Sequence, residues 1–245
     1  MSCKKKILKR AKYALRFLPD RVYIKLYYFA AFKKFCDLDA PVTYNEKLNW
    51  LKLNDHNPLY TKLVDKYEVK DYVSKAIGSE YVIPTLAVVG GGNFDQIDFD
   101  SLPGQFVIKC THDSEGLAIV KDKSKFDKEE AKRKIEKDFK YNFYYIGREW
   151  PYKNVEPRII VEPYLEDHTD GELRDYKFFC FDGEPKAMFI ASDRAKGETK
   201  FDYYDLNFNH LNIIQHYPNA GSVRKPVNFD KMIELSKVLS RDSRM

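Results

Sequence analysis

The run FVIK (106–109) carries three apolar side chains and then Lys109, and the polar stretch CTHDSEG (110–116) separates it from a second apolar run. A strand that ends on a cation and hands over to a glycine-containing loop can hold phosphate. The ammonium supplies charge, and backbone N–H groups beside a glycine can approach the oxygens closely. The same pattern also describes an ordinary hairpin. Further along, period-two alternation puts Asp175 and Lys177 on one face of a strand, with Phe179 and Phe181 beyond them. Arg194 stands at the far end of the following strand. A cation on the apolar side of a sheet is costly without an anion. Lys109, Lys177 and Arg194 each want a partner, and together they form a candidate polyphosphate clamp.

Several elements must position these residues. Thr43 and Glu46 have Ser/Thr-x-x-Glu capping spacing and open a helix in 39–55, with Leu48, Leu51 and Leu53 on its buried side. The spacing of Leu63, Val64, Tyr67, Tyr72, Val73 and Ile77 predicts one helix over 58–78, stopped by Gly78. YVIPTLAVV (81–89) reads as a buried strand. Gly90–Gly92 reads as a turn, because neither nucleotide-loop glycine spacing is present. A charged helix over 124–140 turns Phe126, Ala131, Ile135 and Phe139 inward. The aromatic stretch 141–157 offers Arg148 either to an acidic glycan or to a packed cluster. RIIVEPYLED (158–167) is a strand that ends, or becomes an edge, at Pro163. Asp182-Gly183 marks a hairpin within 175–195, one or two strands follow in 201–213, and Asn228 caps a helix over 228–240 with Met232, Leu235 and Leu239 inward.

With 245 residues, 44% hydrophobic and 15% aromatic, the chain can bury a sizeable core. No apolar run approaches the roughly 18–20 residues a membrane-spanning helix needs. No secretory leader is expected, because no cleavage site follows an apolar region. Four cysteines at positions 3, 36, 110 and 180 form no Cys-x-x-Cys pair, which suits a reducing, cytoplasmic setting. Five scattered histidines give no zinc motif. The net charge of +5 is unevenly spread, since residues 1–36 hold eleven lysines and arginines against Asp20 alone. Ile7, Ala11, Leu15 and Leu18 lie on roughly one face of that leader. It can dock on the domain through its apolar stripe, or lie as a peripheral helix on an anionic membrane surface. Nucleic acid is the weakest reading, and no nucleic-acid partner is expected.

The segments PVTYNEKLNWLKLNDHNPLYTKLVDKYEVKDYV, FVIKCTHDSEG, IIVEPYLED, DYKFFCFDGEPK and SDR follow one another in this order. Together they resemble the TupA-like ATP-grasp family, which is named for teichuronopeptide biosynthesis and occurs among bacterial surface-polysaccharide genes. The resemblance covers nearly the whole chain from about residue 17 on. It implies an α+β ATP-grasp fold, in which two α+β subdomains surround an ATP cleft, behind the basic helical leader. The segments expected are a leader (1–38), an N-terminal α/β segment (39–104) and the ATP-grasp core (105–245).

On this resemblance Lys109 contacts the α/β phosphates, and the loop with Thr111, His112, Ser114 and Gly116 forms a mobile lid. VEPYL is the hinge, where the backbone around Glu162 and Leu165 reads the adenine edge and Tyr164 packs near it. Asp175 and Lys177 join the nucleotide site, Lys177 as a second phosphate ligand. Arg194 faces the reacting phosphoryl group. The resemblance implies ATP and Mg²⁺, a small-molecule or glycan acceptor, and ATP-dependent carboxylate–amine ligation. It also places metal-binding carboxylates on strands after the helix at 228–240, where this chain has LSRDSRM. Those last strands are therefore expected to be missing, with no metal ligand assigned and Asp242 left in a polar tail. An inactive or truncated nucleotide-binding remnant is the alternative. A glycosyltransferase, the label many family members carry, would use an Asp-x-Asp metal motif, and the sequence has only Asp37-Leu38-Asp39 in a loop before Pro41. A protein kinase-like phosphotransferase shares the phosphate chemistry.

Overall fold

A computed structural model of the chain describes residues 3–113, 116–167, 173–194, 197–221 and 223–244. The fold is α+β, and the chain divides into two compact units. One comprises Met1–Tyr72 with Ile83–Tyr164, the other Val73–Val82 with Leu165–Met245. The segment limits expected at 38 and 104 both fall inside the first unit.

In the first unit, helices α1 (Cys3–Ala14), α2 (Asp20–Phe32), α3 (Tyr44–Asn54) and α4 (Pro58–Val64) precede α5 (Glu68–Ile77), which passes into the second unit at Val73. The capping box of α3 forms as the sequence predicts: the Thr43 hydroxyl accepts from the Glu46 N–H, and the Glu46 carboxylate accepts from the Thr43 N–H. The single helix expected over 58–78 is broken at Asp65. That buried carboxylate accepts from the N–H groups of Tyr67 and Glu68 and binds the Arg158 guanidinium at 3.2 Å. An acid so placed starts a new helix instead of continuing the old one.

Four antiparallel strands, β1 (Ala87–Gly90), β2 (Phe106–Cys110), β3 (Leu117–Val120) and β4 (Arg158–Pro163), form a sheet in the order β1-β4-β2-β3. The strand expected over 81–89 is only its second half. The carbonyl of Ile83 and the hydroxyl of Thr85 are taken by Lys70. Gly91 and Gly92 both have positive φ, so the triple glycine is a turn. Pro163 closes β4, which lies between β1 and β2 and is not an edge. Alternation sorts the sheet. Phe106, Ile108, Cys110, Ile159 and Val161 face α6 (Lys128–Phe139), whose Ala131 and Ile135 complete the core.

After α6, the aromatic stretch folds into α7 (Tyr144–Gly147) and a packed cluster around Arg148. Arg148 is only 1% exposed. Its guanidinium donates to the carbonyls of Leu15, Arg16 and Leu18 at 3.1–3.2 Å, lies 3.4 Å from Asp20 and covers the rings of Tyr23, Tyr144 and Tyr145. It is thus a clasp on the turn between α1 and α2, whose carbonyls it gathers. The leader docks, but by the side opposite to the expected stripe. Lys9 reaches Asp138 at 3.2 Å and Tyr13 packs edge-on against Tyr141, while Ile7, Ala11 and Leu15 stay exposed.

The second unit holds β5 (Asp175–Phe181), β6 (Glu184–Ser192), β7 (Lys200–Tyr204) and β8 (His210–Leu211) in sequential antiparallel order, with α8 (Phe229–Ser240). Asp182 and Gly183 both take positive φ, as their hairpin turn requires. One sheet face packs Met188, Ile190 and Tyr204 against Phe229. Asn228 occupies the N-cap position of α8 without making a side-chain capping bond.

Replacing Arg148 with Ala removes its donor from the Leu15, Arg16 and Leu18 carbonyls and its guanidinium from Asp20, which keeps the Tyr144 hydroxyl. Denaturant unfolding is expected to show a loss of about 3 kcal/mol. Arg148→Lys is expected to recover little, because an ammonium has no planar face to cover the rings of Tyr23, Tyr144 and Tyr145.

Candidate functional site

The face of the first sheet turned away from α6 carries Lys109. Lys109 pairs in register with Ile160, and Glu162 is its diagonal neighbour on β4. The Lys109 ammonium reaches the Glu162 carboxylate at 2.5 Å. Lys70 arrives from α5 and takes the other carboxylate oxygen, also at 2.5 Å. It is steered there by Ile83 O and Thr85 Oγ1, both at 2.8 Å. The Glu162 side chain is 6% exposed and that of Lys109 29%, so the pair opens towards solvent on the lysine side. Burial pushes the Glu162 carboxyl up, but the hydrogen bonds from Lys109 and Lys70 outweigh it and hold the group below the usual range. Two ammoniums share one carboxylate, which leaves one net positive charge held in place.

Lys70 was not singled out from sequence. The signal that could have found it is the break at Asp65, which ends α4 and starts α5, so that Lys66 lies in the turn before α5 and Lys70 in its first turn. Lys66 is the second missed residue. Its ammonium donates to Cys110 O at 2.8 Å and to Asp113 O, fastening the root of the loop after β2.

That loop is anchored from within. Thr111 Oγ1 donates to Glu156 O and accepts from the Arg158 N–H, both at 3.1 Å. His112 is buried, with Nε2 donating to Phe139 O at 3.0 Å and the ring edge-on to Phe139. A carbonyl only accepts, so Nε2 carries the hydrogen and Nδ1 is bare, without a partner. Burial lowers the His112 pKa and raises that of Asp113. Asp113 accepts twice from the Gly116 N–H, at 2.9 and 3.1 Å. A Cβ on Gly116 would sit 2.5 Å from Cys110 Sγ, so close approach explains the glycine here. The side chains of Thr111 and His112 are therefore used inside the unit, as are the N–H groups of Thr111, which donates to Arg158 O at 3.0 Å, and of Gly116. Ser114 lies outside the described residues. Tyr164 ends the unit, with the Lys121 ammonium 5.2 Å from its ring centre.

In the second unit, Asp175 gathers the other predicted residues. Lys177 lies 3.3 Å from its carboxylate, and Arg194 pairs with the same oxygen. Both cations are at least half exposed, on a sheet face otherwise formed by Phe179, Phe189, Phe201 and Tyr203. Leu165, the first residue of this unit after Tyr164, is exposed. Thus Lys109 and Glu162 come together in one unit, and Asp175, Lys177 and Arg194 in the other.

The Asp37-Leu38-Asp39 segment serves the backbone and a surface pair. Asp37 accepts from the N–H groups of Asp39 and Ala40, and Arg21 binds the Asp39 carboxylate. Among the described residues no three His, Cys, Asp or Glu side chains come together to hold a metal ion. No helix of the described residues is long and apolar enough to cross a membrane.

The family model described as TupA-like ATPgrasp matches residues 46–244. The chain belongs to this family. Searches of curated proteins and of solved structures returned no match. Within the ATP-grasp match lie both lysines on Glu162, the loop after β2, and the Asp175 cluster; residues 1–45 precede it.

Two outcomes test the loop's anchoring. The folded pKa of His112 is depressed, so its contribution to stability is complete above the ordinary value of 6.5 and is lost as pH falls towards the folded value. Unfolding curves across this window are expected to weaken with acid, and His112→Gln to flatten the slope. Gly116→Ala is expected to cost about 1–3 kcal/mol in denaturant unfolding, because the neighbours must shift.

Proposed function

We propose that this ATP-grasp protein binds ATP and spends it on activating a carboxylate for attack by an amine, in the assembly of a bacterial surface polysaccharide. The observation that carries the reading is the pair of ammonium groups on Glu162, held at the root of a glycine-containing loop and open to solvent on the lysine side. A triphosphate brings several negative charges, and Lys109 and Lys70 are positioned to answer them. Glu162 keeps the two cations close together before the nucleotide arrives, which lessens the reorganisation that binding demands. The N–H groups of Thr111 and Gly116 and the side chains of Thr111 and His112 are spent on anchoring the loop, so the charge for a phosphate comes from the lysines. The adenine lies along the Glu162–Leu165 backbone, with Tyr164 beside it. In the second unit, Asp175 holds Lys177 and Arg194 as exposed positive charge suited to an anionic group.

The reaction then has two steps. A carboxylate oxygen of the acceptor attacks the γ-phosphorus, the bond from that phosphorus to the β-bridging oxygen breaks, and ADP leaves. The amine next attacks the acyl carbon, inorganic phosphate departs with the bonding pair, and the nitrogen gives up a proton. Mg²⁺ would neutralise triphosphate charge in such chemistry. The chain's own residues supply position and positive charge, which carry most of phosphoryl-transfer catalysis. An ATP-consuming reaction suits the cytoplasmic side.

Trapping with hydroxylamine tests the reading. With ATP, Mg²⁺ and a panel of acidic sugars and amino acids, ADP and a hydroxamate are expected to form together. Lys109→Ala is expected to lower the rate at least about a hundredfold. ATP binding without either product would identify a nucleotide binder that does not turn over. Transfer from a nucleotide sugar without ATP would make it a glycosyltransferase.

A further inference from the structure

The leader carries the most basic segment of the chain, and the docking of α1 exposes the side that a soluble helix would normally hide. Lys9, Lys12 and Tyr13 are turned inward: Lys9 to Asp138, Lys12 to the Tyr27 hydroxyl at 3.0 Å, and Tyr13 to Tyr141 and Tyr145. Ile7 and Leu8 are left outside, and Phe17, in the turn before α2, is 77% exposed. On α2 the same sorting recurs. Tyr23, Ile24 and Tyr28 are buried, while Val22 and Leu26, one helical turn apart, face solvent. Phe35, 63% exposed, stacks on Phe29 and extends this apolar strip past the helix end. Arg10, Lys33 and Lys34 are exposed on the same segment.

Large apolar side chains kept in water beside this much positive charge need a covering surface that is both apolar and anionic. A second copy would bring ten net positive charges of leader against ten more. A nucleic acid would neutralise the cations and leave Ile7, Leu8 and Leu26 wet. We infer that the exposed face of α1, α2 and their connecting turn is a docking surface for an anionic phospholipid leaflet, with Phe17 and Phe35 entering the acyl boundary and Arg10, Lys33 and Lys34 meeting the headgroups. This deepens the proposed function by naming the membrane partner. It rests on residues 7–35, outside the family match, and not on the phosphate grip.

Co-sedimentation of the full chain with phosphatidylcholine vesicles, with and without phosphatidylglycerol, tests the surface. Binding is expected with the anionic vesicles only, and is expected to weaken with salt. Each cation removed is expected to weaken partitioning about fivefold, so Arg10→Gln, Lys33→Gln and Lys34→Gln together are expected to give about a hundredfold loss. Phe17→Ser with Phe35→Ser, both exposed and harmless to the core, is expected to give at least about a tenfold loss. ATP affinity is expected to stay unchanged in these variants, and lipid binding to stay unchanged in Lys109→Ala, so the two readings fail separately. Absence of binding to anionic vesicles would overturn the proposal. So would self-association, or capture of a single-stranded oligonucleotide, that Phe17→Ser with Phe35→Ser abolishes.

Discussion

A carboxylate almost out of water has to find cations, and Glu162 finds two. Lys109 comes from the neighbouring strand and Lys70 from a helix that starts only because Asp65 broke its predecessor. The rest of the first unit can be read as support for this triad. The antiparallel register of β2 and β4 makes Lys109 and Glu162 diagonal neighbours. Ile83 O and Thr85 Oγ1 aim Lys70. The apolar residues of the opposite sheet face pack on α6 and fix both strands. An isolated ion pair on a surface contributes little, but a half-buried three-member network with directed hydrogen bonds is ordered before a ligand arrives.

The loop next to the triad is built on the opposite principle. Its root is over-determined by Lys66, Thr111, His112 and Asp113, whose side chains all bond to backbone. Little side-chain chemistry is left over to touch a ligand. The N–H groups of Thr111 and Gly116 are spent in the same way, on Arg158 O and the Asp113 carboxylate. In the second unit, Asp175 gathers Lys177 and Arg194 as exposed charge beside aromatic rings.

Much of this was legible in the sequence because the signals were local. The Thr43–Glu46 capping box, the Asp182-Gly183 turn, the hairpin from 105 to 120 and the order of strands and helices all follow from nearest-neighbour chemistry. The motifs pointed to the family that the match over residues 46–244 shows. What escaped depends on partners far apart in the chain. Apolar periodicity ran straight through Asp65, since nothing nearby reveals that Arg158 will bind it. Lys70 looked like any surface lysine because its partners lie at 83, 85 and 162. His112 read as a loop ligand, yet its partner is the last carbonyl of α6. Of the two readings of the leader, docking through its apolar stripe fails for the same reason: the rings and acid that attract Lys9 and Tyr13 come from 138–145, so the stripe stays outside.

The central claim is that Lys70 and Lys109 act as one phosphate grip organised by Glu162. A double-mutant cycle on ATP affinity addresses it directly, using Lys70→Met, Lys109→Met and the combined variant in titration calorimetry. Each single change is expected to weaken binding at least about tenfold. The combined loss is expected to fall short of the product of the two, with a coupling of at least about 1 kcal/mol, because the lysines share one partner and one ligand charge. ATP affinity left unchanged in the combined variant would contradict the account.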